Sequence, residues 1–281
     1  MFLGFLLLAY QKCILGCLFA YRNAVVFLGI DLGRKYLERI PKYIYYHLFP
    51  RKLSTREKNI IAQHFSFYRR LIPYFQNSFD HLVASFLKKY PTVGRQSFYV
   101  GGEQKIMIAA SYTRLSFGMN ACFVDSFRTV LVYPDYYVSS ITGNQHFGEF
   151  NPGLKVVVLS WKNFLEGIRF DTSNYNLGIH EFTHAILSAS RRKRDASKTV
   201  AEEDFSKGFF QIKDILSDEE LCGKIVNSSY FRNYAFTNVD EFTSVILEHF
   251  FETPDQLRIA FPELYDIVKK MINYRQDWFQ S

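Results

Sequence analysis

Residues 180–184 read His180-Glu181-Phe182-Thr183-His184, within the longer stretch Tyr175-Asn-Leu-Gly-Ile-His-Glu-Phe-Thr-His-Ala185. On an α-helix, positions i and i+4 lie one above the other on a single face, so both imidazoles are placed to ligate one metal ion. Neutral imidazole nitrogens bind zinc at about 2.0–2.1 Å. Glu181 sits beside that face, within reach of a water on the metal, where a general base is needed. This reading requires a helix, and the flanks predict one. Leu177, Ile179, Phe182, Ala185, Ile186 and Ala189 supply its apolar positions, with Ser173 or Asn174 as the cap. The plain alternative is a surface helix carrying two incidental histidines.

A catalytic zinc takes a third protein ligand and keeps a fourth position open. The downstream candidates are Glu202, Glu203, Asp204, Asp240, Glu241, Glu248 and Glu252, with His249 as a nitrogen donor. Glu202 to Asp204 follow the basic stretch Arg191 to Arg194 and read as a solvated loop. Glu241 lies near the start of an apolar helical stretch and is the best placed of several. Glu248 comes seven residues later, about two helical turns, hence on the same face. It reads first as a helix-surface carboxylate. Its alternative role is an outer partner for the second ring nitrogen of a ligating histidine.

Upstream, Ser54 followed by Glu57 forms a capping box, opening a helix through Ile60, Ile61 and Phe65. A second helical pattern covers His81 to Phe86, and a third runs from Gly102 to Gly118. Val130-Leu-Val-Tyr133 and Val156-Val-Val-Leu159 are short β-branched runs and predict strands. Between them, Gly143, Asn144, Gly148, Asn151, Pro152 and Gly153 predict one long loop. Helical patterns return over 178–189, 239–251 and 264–274. The expected class is therefore α+β, a small mixed sheet flanked by helices over residues 54–281.

Residues 1–53 differ. They carry eight basic residues against two acidic ones, so nearly all of the chain's net charge of +7 sits there. Apolar runs over 2–9 and 13–21 are broken by Gln11, Lys12, Arg22 and Asn23. A spanning helix wants roughly twenty mostly apolar residues, and this segment is a poor match. Two readings remain: a helix lying on an anionic membrane surface through residues 1–30, or a helix packed on the main domain. Charge confined to one end, with no helix-turn-helix, RNP or zinc-finger pattern, argues against a nucleic-acid partner. The four cysteines, Cys13, Cys17, Cys122 and Cys222, form no CxxC pair or disulfide framework. That points to a reducing, cytoplasmic compartment, with the N-terminus at the inner membrane face under the first reading. The aromatic share is 18%, most simply core packing, with a ring-lined groove as the alternative.

Several stretches together resemble the Mlc titration factor A family of bacterial zinc-dependent peptidases, whose catalytic domain is similar to that of anthrax lethal factor. They are Val130-Leu-Val-Tyr-Pro-Asp135, Val157-Val-Leu-Ser-Trp161, Tyr175 to His184, Tyr234-Ala-Phe-Thr-Asn-Val-Asp-Glu-Phe242 and Leu247-Glu-His-Phe-Phe-Glu-Thr-Pro254. The resemblance implies a zincin-like domain, with Zn2+ held by His180, His184 and Glu241 and with Glu181 as general base. It also implies that Tyr234 donates a hydrogen bond to the oxyanion. The implied activity is hydrolysis of a peptide or protein substrate, aminopeptidase-like cleavage among its forms. A substrate lying extended along a sheet edge, taken as Val130 to Tyr133, fits that activity. The alternative is a binding protein that sequesters a transcriptional regulator with little turnover. Many relatives follow the second histidine with Lys-Leu-Asp, whereas this chain has Ala185-Ile-Leu-Ser188 and then Arg191-Arg-Lys-Arg194, so pocket shape does not transfer.

Overall fold

A computed structural model describes residues 51–119, 124–138, 143, 145–170, 172–191 and 199–280. The expectations for residues 1–50, a membrane-lying segment included, fall outside these. Among the described residues no helix is long and apolar enough to cross a membrane.

In chain order the helices are α1 (Thr55–His64), α2 (Ser66–Arg70), α3 (Pro73–Lys89), α4 (Gly102–Ser116), α5 (Trp161–Arg169) and α6 (Leu177–Ser190). They continue with α7 (Val200–Ser217), α8 (Glu219–Asn227), α9 (Val239–Glu252), α10 (Pro254–Ala260) and α11 (Pro262–Met271). The strands are β1 (Thr92–Gly94), β2 (Thr129–Tyr133), β3 (Tyr137–Val138), β4 (Gln145–His146), β5 (Gly148–Asn151) and β6 (Val156–Ser160). The class is α+β. The capping box forms: Ser54 Oγ accepts from the Glu57 amide, and the Glu57 carboxylate accepts from the Ser54 amide at 2.7 Å.

The main sheet has the order β1-β2-β6-β5, and β3 pairs with β4 as a separate two-stranded sheet. β1, β2 and β6 run parallel, and β5 is antiparallel to β6. β2 is therefore an inner strand, paired on both sides, and cannot accept a substrate as a sheet edge. Its burial alternates, with Val130 and Val132 fully buried and Thr129, Leu131 and Tyr133 partly so, which still suits an apolar β-branched run in an inner strand. The long loop expected between β2 and β6 instead contains β3, β4 and β5. These strands are two to four residues long, too short for a period-2 pattern to emerge.

α6 is the central helix, with Ile179, Phe182, Ala185, Ile186, Leu187 and Ala189 all buried. A helix apolar on nearly every side must be enclosed, and α4, α5, α7, α9, β5 and β6 all pack against it. Gly178 makes this close approach possible: a Cβ there would lie 2.5 Å from Ser111 Oγ and 2.7 Å from Phe164 Cε2. The cap of α6 is Asn176, whose Oδ1 accepts from the Ile179 amide at 3.0 Å; neither Ser173 nor Asn174 fills that role. Among the described residues most of the aromatic rings belong to the core. Phe86, Tyr90, Tyr112, Phe127 and Phe182 form one ring cluster, and Phe67, Phe79, Phe117 and Trp278 form another.

The segment Glu202 to Asp204 is not a loop. It is the first turn of α7, where Thr199 and Glu202 make a reciprocal capping box. A polar run with a threonine three residues ahead of a glutamate is a helix start as well as a loop composition.

Candidate metal centre

The Asn176 cap sets the register of α6, and the helix then brings the His180 and His184 rings together edge-to-face with centroids 4.9 Å apart. Their Nε2 atoms converge to 3.2 Å. From across the cleft, α9 brings Glu241 in its first turn, fixed by the Asn238 cap whose Oδ1 accepts from the Glu241 amide at 3.0 Å. Glu241 Oε2 lies 2.9 Å from His180 Nε2 and 3.5 Å from His184 Nε2. One donor atom from each of the three residues falls within 4.8 Å of the others.

The donor chemistry fits a cation. His180 Nδ1 lies 2.8 Å from Glu248 Oε1, and a carboxylate only accepts, so Nδ1 carries the hydrogen. In its neutral form the ring would turn a bare Nε2 lone pair toward the buried Glu241 Oε2, 2.9 Å away. Two acceptors facing one another at this distance require a positive charge between them or a proton on the ring. Burial works against an imidazolium at His180, but hydrogen bonds to Glu241 and Glu248 outweigh it and push the pKa up to about 10. Burial raises the Glu241 carboxyl, and its hydrogen bonds to His180 and His184 more than reverse that, holding it far below the usual range. The same field would favour a metal ion.

Glu181 is buried, and burial raises its pKa against the opposing pull of His180 and His184. It lies against Gly148 of β5, where an added Cβ would come 2.5 Å from Glu181 Oε1. Tyr234 stands in the 3-10 turn Asn233–Thr237 with its ring centroid 6.1 Å from that of His180. Burial and the neighbouring Glu241 charge push its phenol up to about 12, so it stays protonated.

Glu248 is not a surface carboxylate: its side chain is 1% exposed. Besides His180, its Oε1 accepts from Arg232 Nη2 at 2.6 Å, and its Oε2 accepts from the Asn176 amide at 2.7 Å. One turn later, Glu252 accepts from Asn176 Nδ2 at 3.0 Å and from the Asn174 amide at 2.6 Å. Arg232 completes the clamp, donating to the Asn174 carbonyl at 2.6 Å while its guanidinium stacks on Tyr175 at 4.5 Å. Sequence reasoning missed Arg232, Asn176 and Gly148 as neighbours of the site, and named Glu252 only as a candidate ligand. The i, i+4 spacing of Glu248 and Glu252 was a usable signal for the last of these.

The remaining ligand candidates are engaged elsewhere. Asp240 forms a two-pronged ion pair with Arg191 at 2.6 and 2.8 Å. Asp204 pairs with Lys207 at 3.1 Å, Glu202 caps α7, and the His249 ring packs against Tyr230 and Phe231.

Two cavities meet at the site, of about 810 and 1160 Å3, and share His146, Gly148, His180, Glu181 and Tyr234 in their walls. They form the two lobes of one cleft. β5 is the sheet edge beside it. The Ser160 amide bonds the Phe147 carbonyl at 2.7 Å, so pair alternation turns the main-chain groups of Gly148 and Phe150 away from β6.

An α+β domain with a His-His-Glu cluster facing a two-lobed cleft is the arrangement of a metallopeptidase-type fold. The sequence model of the glucose-regulated metallo-peptidase M90 family matches residues 45–274, and the chain belongs to that family. It is 24% identical over 238 residues to the uncharacterized protein slr2042 of Synechocystis, covering 79% of this chain and 85% of that one. It is 28% identical over 189 residues to Mlc titration factor A of Pectobacterium atrosepticum, covering 62% and 68%. For Mlc titration factor A of Yersinia pestis the identity is 27% over 173 residues, covering 57% of this chain and 62% of the relative. The family implies a metal, and His180, His184 and Glu241 are the group among the described residues able to hold one.

Proposed function

We propose that this chain is a zincin-like peptidase that hydrolyses peptide bonds, with zinc held by His180, His184 and Glu241. The observation that carries the reading is the convergence of one donor atom each from His180, His184 and Glu241 to within 4.8 Å of one another, with Glu241 Oε2 2.9 Å from His180 Nε2. A zinc ion there supplies a Lewis acid that polarises a carbonyl and acidifies water. Glu181 takes the proton of the attacking water and passes it to the leaving amine. Its enclosure against Gly148 keeps bulk water from competing and raises its basicity. The protonated Tyr234 hydroxyl donates to the oxyanion as the carbonyl carbon becomes tetrahedral, an interaction typically worth about 3 kcal/mol. Glu248 fixes the His180 tautomer. A substrate strand pairs with the outward main-chain groups of Gly148 and Phe150, which places β5 where β2 was expected.

The relatives named Mlc titration factor A favour a second reading, a domain that binds and sequesters a regulator protein with little turnover. The two readings part on Glu181 and Tyr234, which binding alone does not require. Metal analysis of the wild type and Glu181→Gln, each incubated with a mixed peptide pool, separates them. The peptidase reading expects about one zinc per chain in both proteins and cleavage only by the wild type. Equal cleavage by both would defeat Glu181 as the general base, and cleavage by neither leaves only the binding reading.

A further inference from the structure

We infer that the smaller lobe of the cleft is a side-chain subsite that selects a bulky apolar residue next to the scissile bond. The inference rests on the peptidase reading for the identity of the occupant. Four aromatic rings line this lobe while remaining open to solvent: Phe147 (49% exposed), Phe170 (63%), Tyr175 (61%) and Tyr234 (52%). They come from four separate segments: the link between β4 and β5, the residue closing α5, the loop before α6, and the 3-10 turn. Elsewhere among the described residues the aromatic rings are mostly buried in the core. Open rings converging on one cavity gain no folding energy, because the apolar area left in water earns no transfer term.

Collapse of the lobe is resisted. Tyr175 is stacked by Arg232, whose guanidinium is itself fixed by Glu248 and the Asn174 carbonyl. The lobe is continuous with the candidate metal centre, since His180 and Glu181 form part of its wall. A peptide whose carbonyl sits at that centre must therefore place a neighbouring side chain here. The electrostatics narrow the choice. Arg232 is committed to Glu248, while Glu166 and Glu181 add negative charge, so an acidic side chain is disfavoured. The other lobe differs in charge: beside Phe150, Phe209 and Phe210 its wall carries Lys213 and the Arg191–Asp240 pair.

The test uses the full-length, zinc-loaded Glu181→Gln chain and capped alanine hexapeptides carrying one Phe, Lys or Glu at each position in turn. Affinity is read by calorimetry, so the subsite is scored without turnover. Burial of one aromatic side chain predicts that Phe at one position binds at least about tenfold more tightly than Ala. Lys and Glu are expected to bring no such gain. Phe170→Ser or Phe147→Ala in the same background should reduce the Phe-to-Ala ratio below about threefold, as the lost ring area requires. A ratio unchanged in both variants, a preference for Lys, or no discrimination at all overturns the inference. In parallel, mass spectrometry of the same sequences, with capped and with free N-termini, incubated with unmutated enzyme should place the cut beside the preferred Phe. Discrimination in binding without any cut keeps the subsite and removes the peptidase reading.

Discussion

Glu248 Oε1 lies 2.8 Å from His180 Nδ1, and this contact ties α9 to the turn of α6 that carries His180. The carboxylate orients one imidazole and, through its second oxygen, holds the loop that caps the helix carrying it. Exchanging Glu248 for Gln should lower zinc affinity by about ten- to a hundredfold, measured by chelator competition. Glu248→Ala should also cost about 3 kcal/mol in urea unfolding, because it leaves Arg232 half-enclosed without its partner. Unaltered affinity in Glu248→Gln would show that the contact does not organise the metal centre.

Gly148→Ala tests the seat of Glu181, the proposed general base. The new Cβ would meet Glu181 Oε1 and Leu177 Cδ1, both at 2.5 Å, so Glu181 has to move. A displacement of about 1 Å at a reacting group typically costs about a hundredfold. We expect kcat to fall by that order with KM and zinc content nearly unchanged. A variant with wild-type kcat would mean that Glu181 has slack in the site.

Tyr234→Phe removes one hydroxyl from a side chain already 52% exposed, so unfolding stability should be nearly unaffected. The expected loss is about a hundred- to a thousandfold in kcat, with zinc binding retained, as for removal of one oxyanion donor. Steady-state kinetics alongside metal titration decides it: a fall in metal affinity instead would assign the phenol to the ligand sphere.

His249 gives a pH-dependent stability term. Burial and Arg232 lower its pKa to about 4, against a partial opposing effect of Glu248, so the folded ring stays neutral while the unfolded one ionises near 6.5. The unfolded chain therefore binds more protons between about pH 6.5 and 4. This group's contribution is fully present above that window and is lost as pH falls through it, by roughly 3 kcal/mol. Glu252 acts in the opposite sense: burial lifts its carboxyl to about 6, so its contribution is present at low pH and lost as pH rises from 4.5 to 6. Urea midpoints of His249→Phe and wild type across pH 4–7 isolate the histidine, and parallel curves would rule it out. Glu252→Gln should steepen the net loss on acidification.

The helices of this chain were legible where local chemistry dictates them. The Ser54–Glu57 box, the apolar faces around Ile179 to Ala189, and the Pro254 that closes α9 are signals confined to a few neighbouring residues. The α+β class, the two longest strands and the meeting of His180 and His184 on one helix face follow from the same short-range rules. Short-range rules failed where two features shared one composition. The Thr199–Glu202 capping box resembled a polar loop, and β3 to β5 were too brief to alternate.

Which carboxylate would face the two imidazoles was a different kind of question. Seven acidic residues were open on spacing, and the choice between Glu241 and Glu248 depends on how α9 crosses α6, a contact between segments some sixty residues apart in sequence. The edge strand likewise cannot be read from β2 alone, because being an edge is a property of the neighbours. The Glu248–Arg232–Asn174 clamp and the four open rings belong to the same class, since each joins side chains from separate elements. Periodicity and capping operate within a turn or a strand pair, whereas convergence across the cleft arises only when burial of the α6 faces forces distant elements together.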